Sequence, residues 1–245
     1  MKKLFIAVSI FLLASCEEGA VTSLSENEVI EGLKEALITG AINSSTVLSV
    51  LDGYYGDAAV KILLPEEVRG TVESISKLPG GNVINGLVED VVLMINRAAE
   101  DAAKEVAPVF IGSIKQMTVK DGFNILKGAD NAATEYLKST TFDGLYALYE
   151  PKIAASMGKK LIGNVSATDS WNALTDKWNP IANSFAGQLI NLKPIDTDLN
   201  NYLTTKALDG MFLKVAGEEL EIRKNVNARV SPLLQKVFGS LDGTN

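Results

Sequence analysis

Leu199–Leu220 reads LNNYLTTKALDGMFLKVAGEEL, and its spacing decides the fold class. Its apolar residues are Leu199, Leu203, Leu208, Met211, Phe212, Val215, Ala216 and Leu220. Steps of three to five residues keep returning to one side of a helix with 3.6 residues per turn. A strand would need steps of two. The spacing predicts a long amphipathic helix beginning at Asp196 or Thr197, with a broad apolar face.

The same punctuation recurs on both sides of this stretch. Downstream, Ser231-Pro232 opens a last helix that carries Leu233, Leu234, Val237 and Phe238 and stops at Gly239. Upstream, residues 192–197 read as a connector. Thr168 is the expected cap of a helix with Trp171, Leu174 and Trp178, interrupted near Pro180. Residues 159–167 read as a loop. Thr141 is the expected cap of a helix with Leu145, Leu148 and Ile153, which Pro151 kinks or splits. Asp130 would cap a helix through Ala133 and Leu137, and Thr118 one closed by Gly128.

Pro108 starts another helix, running to Met117, and Asn82 would cap a long one ending near Ala103. Pro65-Glu66-Glu67 opens a helix that Pro79-Gly80-Gly81 ends. Ser25-Glu26-Asn27-Glu28 fits a capping box ahead of Val29, Leu33, Ala36, Leu37 and Ala41. Residues 43–64 are irregular. No sustained alternation of period two appears. The expected class is all-α, a compact bundle of about eight to ten helices.

Composition sets the bounds. The chain has 245 residues, 47% hydrophobic and 22% charged, which is ordinary globular composition, with enough length for one large domain or two small ones. The formal net charge is −7 and there is no long Lys/Arg cluster, so a nucleic-acid partner is not expected.

The amino-terminal stretch MKKLFIAVSIFLLASC reads as an export signal. Lys2 and Lys3 form a basic start, and Leu4 to Leu13 is an apolar run too short to span a bilayer comfortably. Leu13-Ala14-Ser15-Cys16 resembles the bacterial lipobox. That resemblance implies a diacylglycerol on the thiol of Cys16, cleavage before it, and acylation of the new amino terminus. Two or more acyl chains hold a protein stably at a membrane, where one is marginal. Cys16 is the only cysteine, so it has no disulfide partner.

The expected organisation is a signal peptide over 1–15, a lipidated tether over 16–24, one helical domain over 25–239 and a disordered tail over 240–245. Without Lys2 and Lys3 the mature chain has 21 basic residues against 30 acidic ones, a net of −9. Such a domain is held near the membrane by its anchor and not by its charge. Glu17 stands where lipoproteins retained in the inner membrane of enteric bacteria typically carry Asp. The expected address is therefore the cell envelope, at the outer membrane and facing the periplasm. Glu17-Glu18 also fits a surface-display signal.

The chain has no histidine, which removes a Ser-His-Asp triad, His-ligated zinc and an imidazole base. It has no Walker loop and no GxGxxG after a strand. No cofactor or metal is expected beyond the covalent lipid on Cys16. The polar candidates are Asp121, Asp130, Asp143 and Asp209, with Glu218 and Glu219 as further carboxylates. Such groups can do acid–base work or bind a hard cation, but most carboxylates cap helices or face solvent.

Asp-Gly recurs at 52–53, 121–122, 143–144, 209–210 and 242–243. A glycine inside a helix costs about 1 kcal/mol against alanine. Close helix crossings explain that pattern better than a polar site built from the aspartates. Trp171 and Trp178 share a face with Leu174 and read as core. Lys206, Arg223, Lys224 and Arg229 could gather an anion, although salt bridges on solvated faces explain them as well.

Several blocks, in order, resemble one family. They are GLKEAL at 32–37, NRAAE at 96–100, IKQMT at 114–118, GADNAATEY at 128–136, KALDGMF at 206–212, EELEIRKN at 218–225 and KVFG at 236–239. Together they are similar to the bacterial exported family known as domain of unknown function four-one-nine-seven, over roughly residues 25–239. The resemblance implies a helical, often lipid-anchored protein and brings no catalytic residues with it. Residues 166–178 depart somewhat from the family's usual wording.

Three readings stay open. The first is a non-catalytic module that binds an envelope protein or stabilises an assembly. The second is a binder of a small hydrophobic ligand such as a lipid. The third is a carboxylate-based enzyme, which the absent residue types make the weakest.

Overall fold

The computed structural model describes residues 23–75 and 81–243. Cys16 and the lipobox residues Leu13, Ala14 and Ser15 lie outside the described residues, as do Pro79 and Gly80. The described helices are α1 (Glu26–Leu48), α2 (Glu66–Ile75), α3 (Gly81–Ala103), α4 (Val106–Gln116), α5 (Gly122–Leu126), α6 (Ala132–Gly158), α7 (Ala167–Asn183), α8 (Phe185–Leu189), α9 (Leu199–Lys224) and α10 (Pro232–Gly239). A 3-10 turn, Val226–Ala228, joins the last two. No strand occurs among the described residues, apart from an isolated bridge between Ile162 and Val165. The all-α class holds.

Helix α9 is the centre. It lies against α1 on one side and α6 on the other. Helix α3 packs on α7 and α6, α4 lies against α1 and α6, and α10 rests on α1. Leu203, Ala207, Leu208, Met211, Phe212 and Val215 of α9 are all buried. Phe212 meets Phe110 of α4 with ring centroids 5.2 Å apart. The apolar stripe then takes an unexpected course. Leu220 is 38% exposed, and the inward positions of the last turns belong to Glu219, Ile222 and Arg223.

Helix starts differ from expectation where a stronger acceptor was in reach. Ser25 and Ser231 cap α1 and α10 as expected, and Ser25 forms the full capping box with Glu28. Helix α5 is capped by Asp121 and not by Thr118. Asp121 sits in the left-handed region at φ 58°, which aspartate tolerates better than most residues, and accepts from the Asn124 amide. Ser166, with Asp169 closing a capping box, caps α7 in place of Thr168. Asp198 caps α9.

Thr141 caps nothing, because α6 is continuous through it. Its hydroxyl donates back to the Leu137 carbonyl at 2.7 Å. Pro151 does not split α6 and Pro180 does not end α7. Both prolines are exposed, as are Ala147 and Asp176 four residues before them, so the carbonyls they leave unpaired face water.

The residues expected as a disordered tail are ordered through Gly243. Asp242 accepts from both terminal nitrogens of Arg229, at 2.6 and 2.8 Å, and Leu241 packs on the core.

Candidate functional site

Residues 49–65 have no helix-forming pattern, yet the fold fixes them from two sides. On the α3 side, Glu100 is 4% exposed and its Oε1 accepts from the amides of Tyr54 and Tyr55 at 3.1 and 3.0 Å. Arg97 bridges the other Glu100 oxygen to Asp52. Asn96 is fully buried. Its side chain accepts from the Ile62 amide at 2.9 Å and donates to the Ile62 carbonyl at 2.7 Å, which satisfies both groups of that peptide as a neighbouring strand would. On the α9 side, the Tyr54 hydroxyl donates to the Ala207 carbonyl at 2.8 Å and the Tyr202 hydroxyl to the Leu63 carbonyl at 2.7 Å.

Gly210 makes that second attachment possible. A Cβ there would lie 2.8 Å from Cε1 of Tyr54. Close packing therefore accounts for the Asp209-Gly210 pair, and also for Asp121-Gly122, where a Cβ would lie 3.0 Å from Ile30. Gly144 faces open space, and nothing in the structure explains it.

Between this fixed loop and α9 lies a cleft of about 640 Å³. The loop contributes residues 59–63 as one wall, and α2 contributes Arg69. Helix α9 supplies Tyr202, Lys206, Asp209 and Leu213, and the start of α6 supplies Glu135 and Lys138. The cleft opens to solvent and mixes apolar with charged groups.

The four candidate aspartates stand on separate elements. Asp121 caps α5. Asp130, in the α5–α6 linker, pairs with Lys224 at 3.0 Å. Asp143 is exposed on α6. Asp209 pairs with Lys138 at 3.0 Å and is the only one of the four in the cleft. Among the described residues no group of three or more His, Cys, Asp or Glu side chains could hold a metal ion. Glu218 accepts from Asn43 at 2.6 Å, which ties α9 to α1.

Glu219 does what was expected of Asp130: it caps α6. Its side chain is 1% exposed. It accepts from the Ala133 amide at 3.0 Å, the Thr134 amide at 2.7 Å and the Thr134 hydroxyl at 2.7 Å. Arg223, one turn on, donates to Glu219 from Nε at 2.9 Å and to the Leu126 carbonyl from Nη1 at 2.6 Å. The acid meets the positive end of α6 and the base meets the negative end of α5, so both charges oppose helix dipoles.

Of the four basic residues considered for an anion, Arg223 is held by Glu219, Lys224 by Asp130 and Arg229 by Asp242. Only Lys206 faces the cleft. Trp178 is fully buried, with Nε1 donating to the Lys193 carbonyl at 2.8 Å, so it is core as expected. Trp171 is half-buried on the same face.

Lys61, Leu63 and Arg69 are cleft residues that periodicity could not find, because they lie in or beside the irregular loop. Glu219 and Arg223 did carry a signal. They fall on the Leu208–Met211–Val215 stripe, where a charged residue must find a buried partner.

A family model described as "Protein of unknown function (DUF4197)" matches residues 23–239. The chain belongs to that family. The match takes in α1 to α10 and both walls of the cleft, so the site lies wholly within the region that defines the family. No curated protein and no solved structure matches the chain. No helix among the described residues is long and apolar enough to cross a membrane.

Proposed function

We propose that this chain is a lipid-anchored protein of the cell envelope whose helical domain works by binding and does not catalyse a reaction. The address rests on Leu13-Ala14-Ser15-Cys16 after a basic start and a short apolar run. Diacylated Cys16 attaches the domain to the outer membrane, facing the periplasm.

The observation that carries the binding half is the cleft between residues 59–63 and α9. Its walls are fastened by Asn96, Tyr54 and Tyr202, so a ligand meets a surface that is already formed. Several of the carboxylates that could have served chemistry already have partners, Asp209 inside the cleft itself. Glu100 and Glu219 hold backbone amides, and Asp130 and Asp209 sit in ion pairs.

The anchor is tested by expressing the chain and its Cys16→Ala variant in a bacterial host fed radiolabelled palmitate. The unaltered chain is expected to take up label and to sediment with membranes through a high-salt wash. Cys16→Ala should lose the label and that association together. Label retained in Cys16→Ala would sink the anchor.

A further inference from the structure

The charge of the cleft is opposite to that of the chain. The mature sequence has 21 basic and 30 acidic residues, a net of −9, yet four cations and only two carboxylates line the cleft. Lys138 is paired with Asp209, and Glu135 accepts from Asn131 at 3.2 Å. Lys61, Arg69 and Lys206 have no carboxylate partner among the described residues. Lys61 instead lies 3.8 Å from the centroid of the Tyr55 ring, and Lys206 5.9 Å from that of Tyr202.

Lys152 pairs with Glu105, Lys214 with Asp57 and Lys236 with Glu28, whereas Lys115, Lys120 and Lys127 have no carboxylate partner among the described residues, so what sets the cleft apart is that Lys61, Arg69 and Lys206 share one concavity. Glu135 keeps its charge while it accepts from Asn131, so the cleft carries a net of +2 among the described residues, and its cations repel one another. A concave wall also focuses their field on whatever enters. The arrangement becomes favourable once an oxyanion lies among them, since hydrogen bonds from charged donors to an ionised acceptor are the strong ones.

Two further observations narrow the ligand. Leu63 and Leu213 line the same cleft and are 43% and 51% exposed, so an apolar strip lies beside the cations. The backbone that bears Lys61 and Leu63 is held by Asn96 and Tyr202, so the charged and apolar parts keep a fixed relation.

We infer that this cleft binds a phosphoryl group, held by Lys61, Arg69 and Lys206, whose substituent lies along Leu63 and Leu213. Arg69 supplies a planar fork for two oxygens and the lysines supply point charges. The group can come from an anionic phospholipid or from free phosphate, and the apolar strip favours the lipid. This inference rests on the reading of the cleft as the binding site.

The test uses the full chain in a non-ionic detergent and native mass spectrometry, with phosphatidylglycerol, phosphatidylcholine and inorganic phosphate as separate probes. Lys61→Ala with Lys206→Ala, and Leu213→Asp alone, are the variants, each checked for an unchanged thermal melt. These positions are partly or well exposed, so the fold should tolerate them. Phosphatidylglycerol is expected to bind, phosphatidylcholine to bind far less, and the double variant to weaken phosphatidylglycerol by at least about tenfold.

Inorganic phosphate binding as tightly as the lipid, with the same loss in the double variant, would uphold the phosphoryl site and assign its source to free phosphate. Equal binding of both lipids, unmoved by the double variant but lost in Leu213→Asp, would overturn the anion and leave the cleft as the binding site. Binding indifferent to every variant, or no adduct with any probe, would overturn the inference, and indifference would overturn the cleft as well.

Discussion

Helix α9 carries charge in two places and treats it in opposite ways. At Glu219 and Arg223 both charges are buried, and their partners come from two other helices: the amides of Ala133 and Thr134 at the start of α6, and the carbonyls of Ile125 and Leu126 at the end of α5. Between three and four turns earlier, Lys206 stands at the surface beside Lys61 and Arg69 with no carboxylate partner among the described residues. Burial makes a missing partner very costly, so the inner pair is fully satisfied. Exposure lets a group wait for its partner, and a cleft with an excess of cations among the described residues of an acidic protein is therefore where binding is to be sought. The fold needs the first kind of charge and tolerates the second.

The comparison breaks most visibly at Glu219. Glu219→Ala should lower unfolding stability by about 3–5 kcal/mol, because Arg223 is left buried and unpaired and α6 loses its cap. Chemical denaturation reads this directly. Replacing Glu219 and Arg223 together by Leu and Met sharpens the point. An ordinary buried ion pair can often be exchanged for apolar residues at little cost. Here the amides of Ala133 and Thr134 and the carbonyl of Leu126 would still lack partners, so the double replacement should recover only part of the loss. Full recovery would mean that the pair serves each other and not the helix ends.

Leu208 tests the same helix without charge. It is fully buried, whereas Thr118 is exposed and its carbonyl accepts from the Tyr136 hydroxyl at 2.8 Å. Leu208→Ala should cost about 2–5 kcal/mol, and Thr118→Ala should stay within about 0.5 kcal/mol. Thermal melts of the two variants settle it, and a reversed order would misplace the core face of α9.

What could be read from the sequence follows from how local its cause is. The helical class, the capping box at Ser25, the proline start at Ser231 and the buried face around Leu208 each depend on residues within a few turns of one another, and the structure has them. The starts expected at Thr118, Asp130 and Thr141 fail for different reasons. Asp121, three residues on, caps in place of Thr118, Thr141 lies inside a continuous α6, and a cap can also come from a distant helix. For α6 the acceptor is Glu219, 86 positions from Ala133.

Pro151 and Pro180 do not end their helices: both lie on exposed sides, where water can meet the carbonyl that loses its amide partner, and the packing of the rest of each helix outweighs the remaining cost. The cleft was the least legible part. One of its walls is an irregular loop, and what fixes it is a set of long-range bonds from Asn96, Glu100, Tyr54 and Tyr202. Of the candidate aspartates only Asp209 belongs to the cleft, and there it neutralises Lys138.

Asp101 lies between the two extremes, and its effect should be smaller than those at Glu219 and Leu208. It closes the end of α3 onto α6, accepting from Ser156 at 2.9 Å, Lys159 at 2.6 Å and Lys104 at 3.0 Å. Partial burial pushes its pKa up, but the bonds from Lys159, Lys104 and Ser156 outweigh burial and bring it to about 2. A carboxylate whose folded pKa lies below its unfolded value stabilises the fold above the unfolded value. That contribution is lost as pH falls from 3.8 through about 2. Asp101→Asn should therefore cost roughly 0.5–1 kcal/mol near neutral pH and progressively less toward pH 2. Urea midpoints of both proteins across that range should converge at the acid end. A constant gap would show that Asp101 acts through shape and hydrogen bonding and not through its charge. It would then belong with the groups the fold needs in place, as Asn96 does at Ile62.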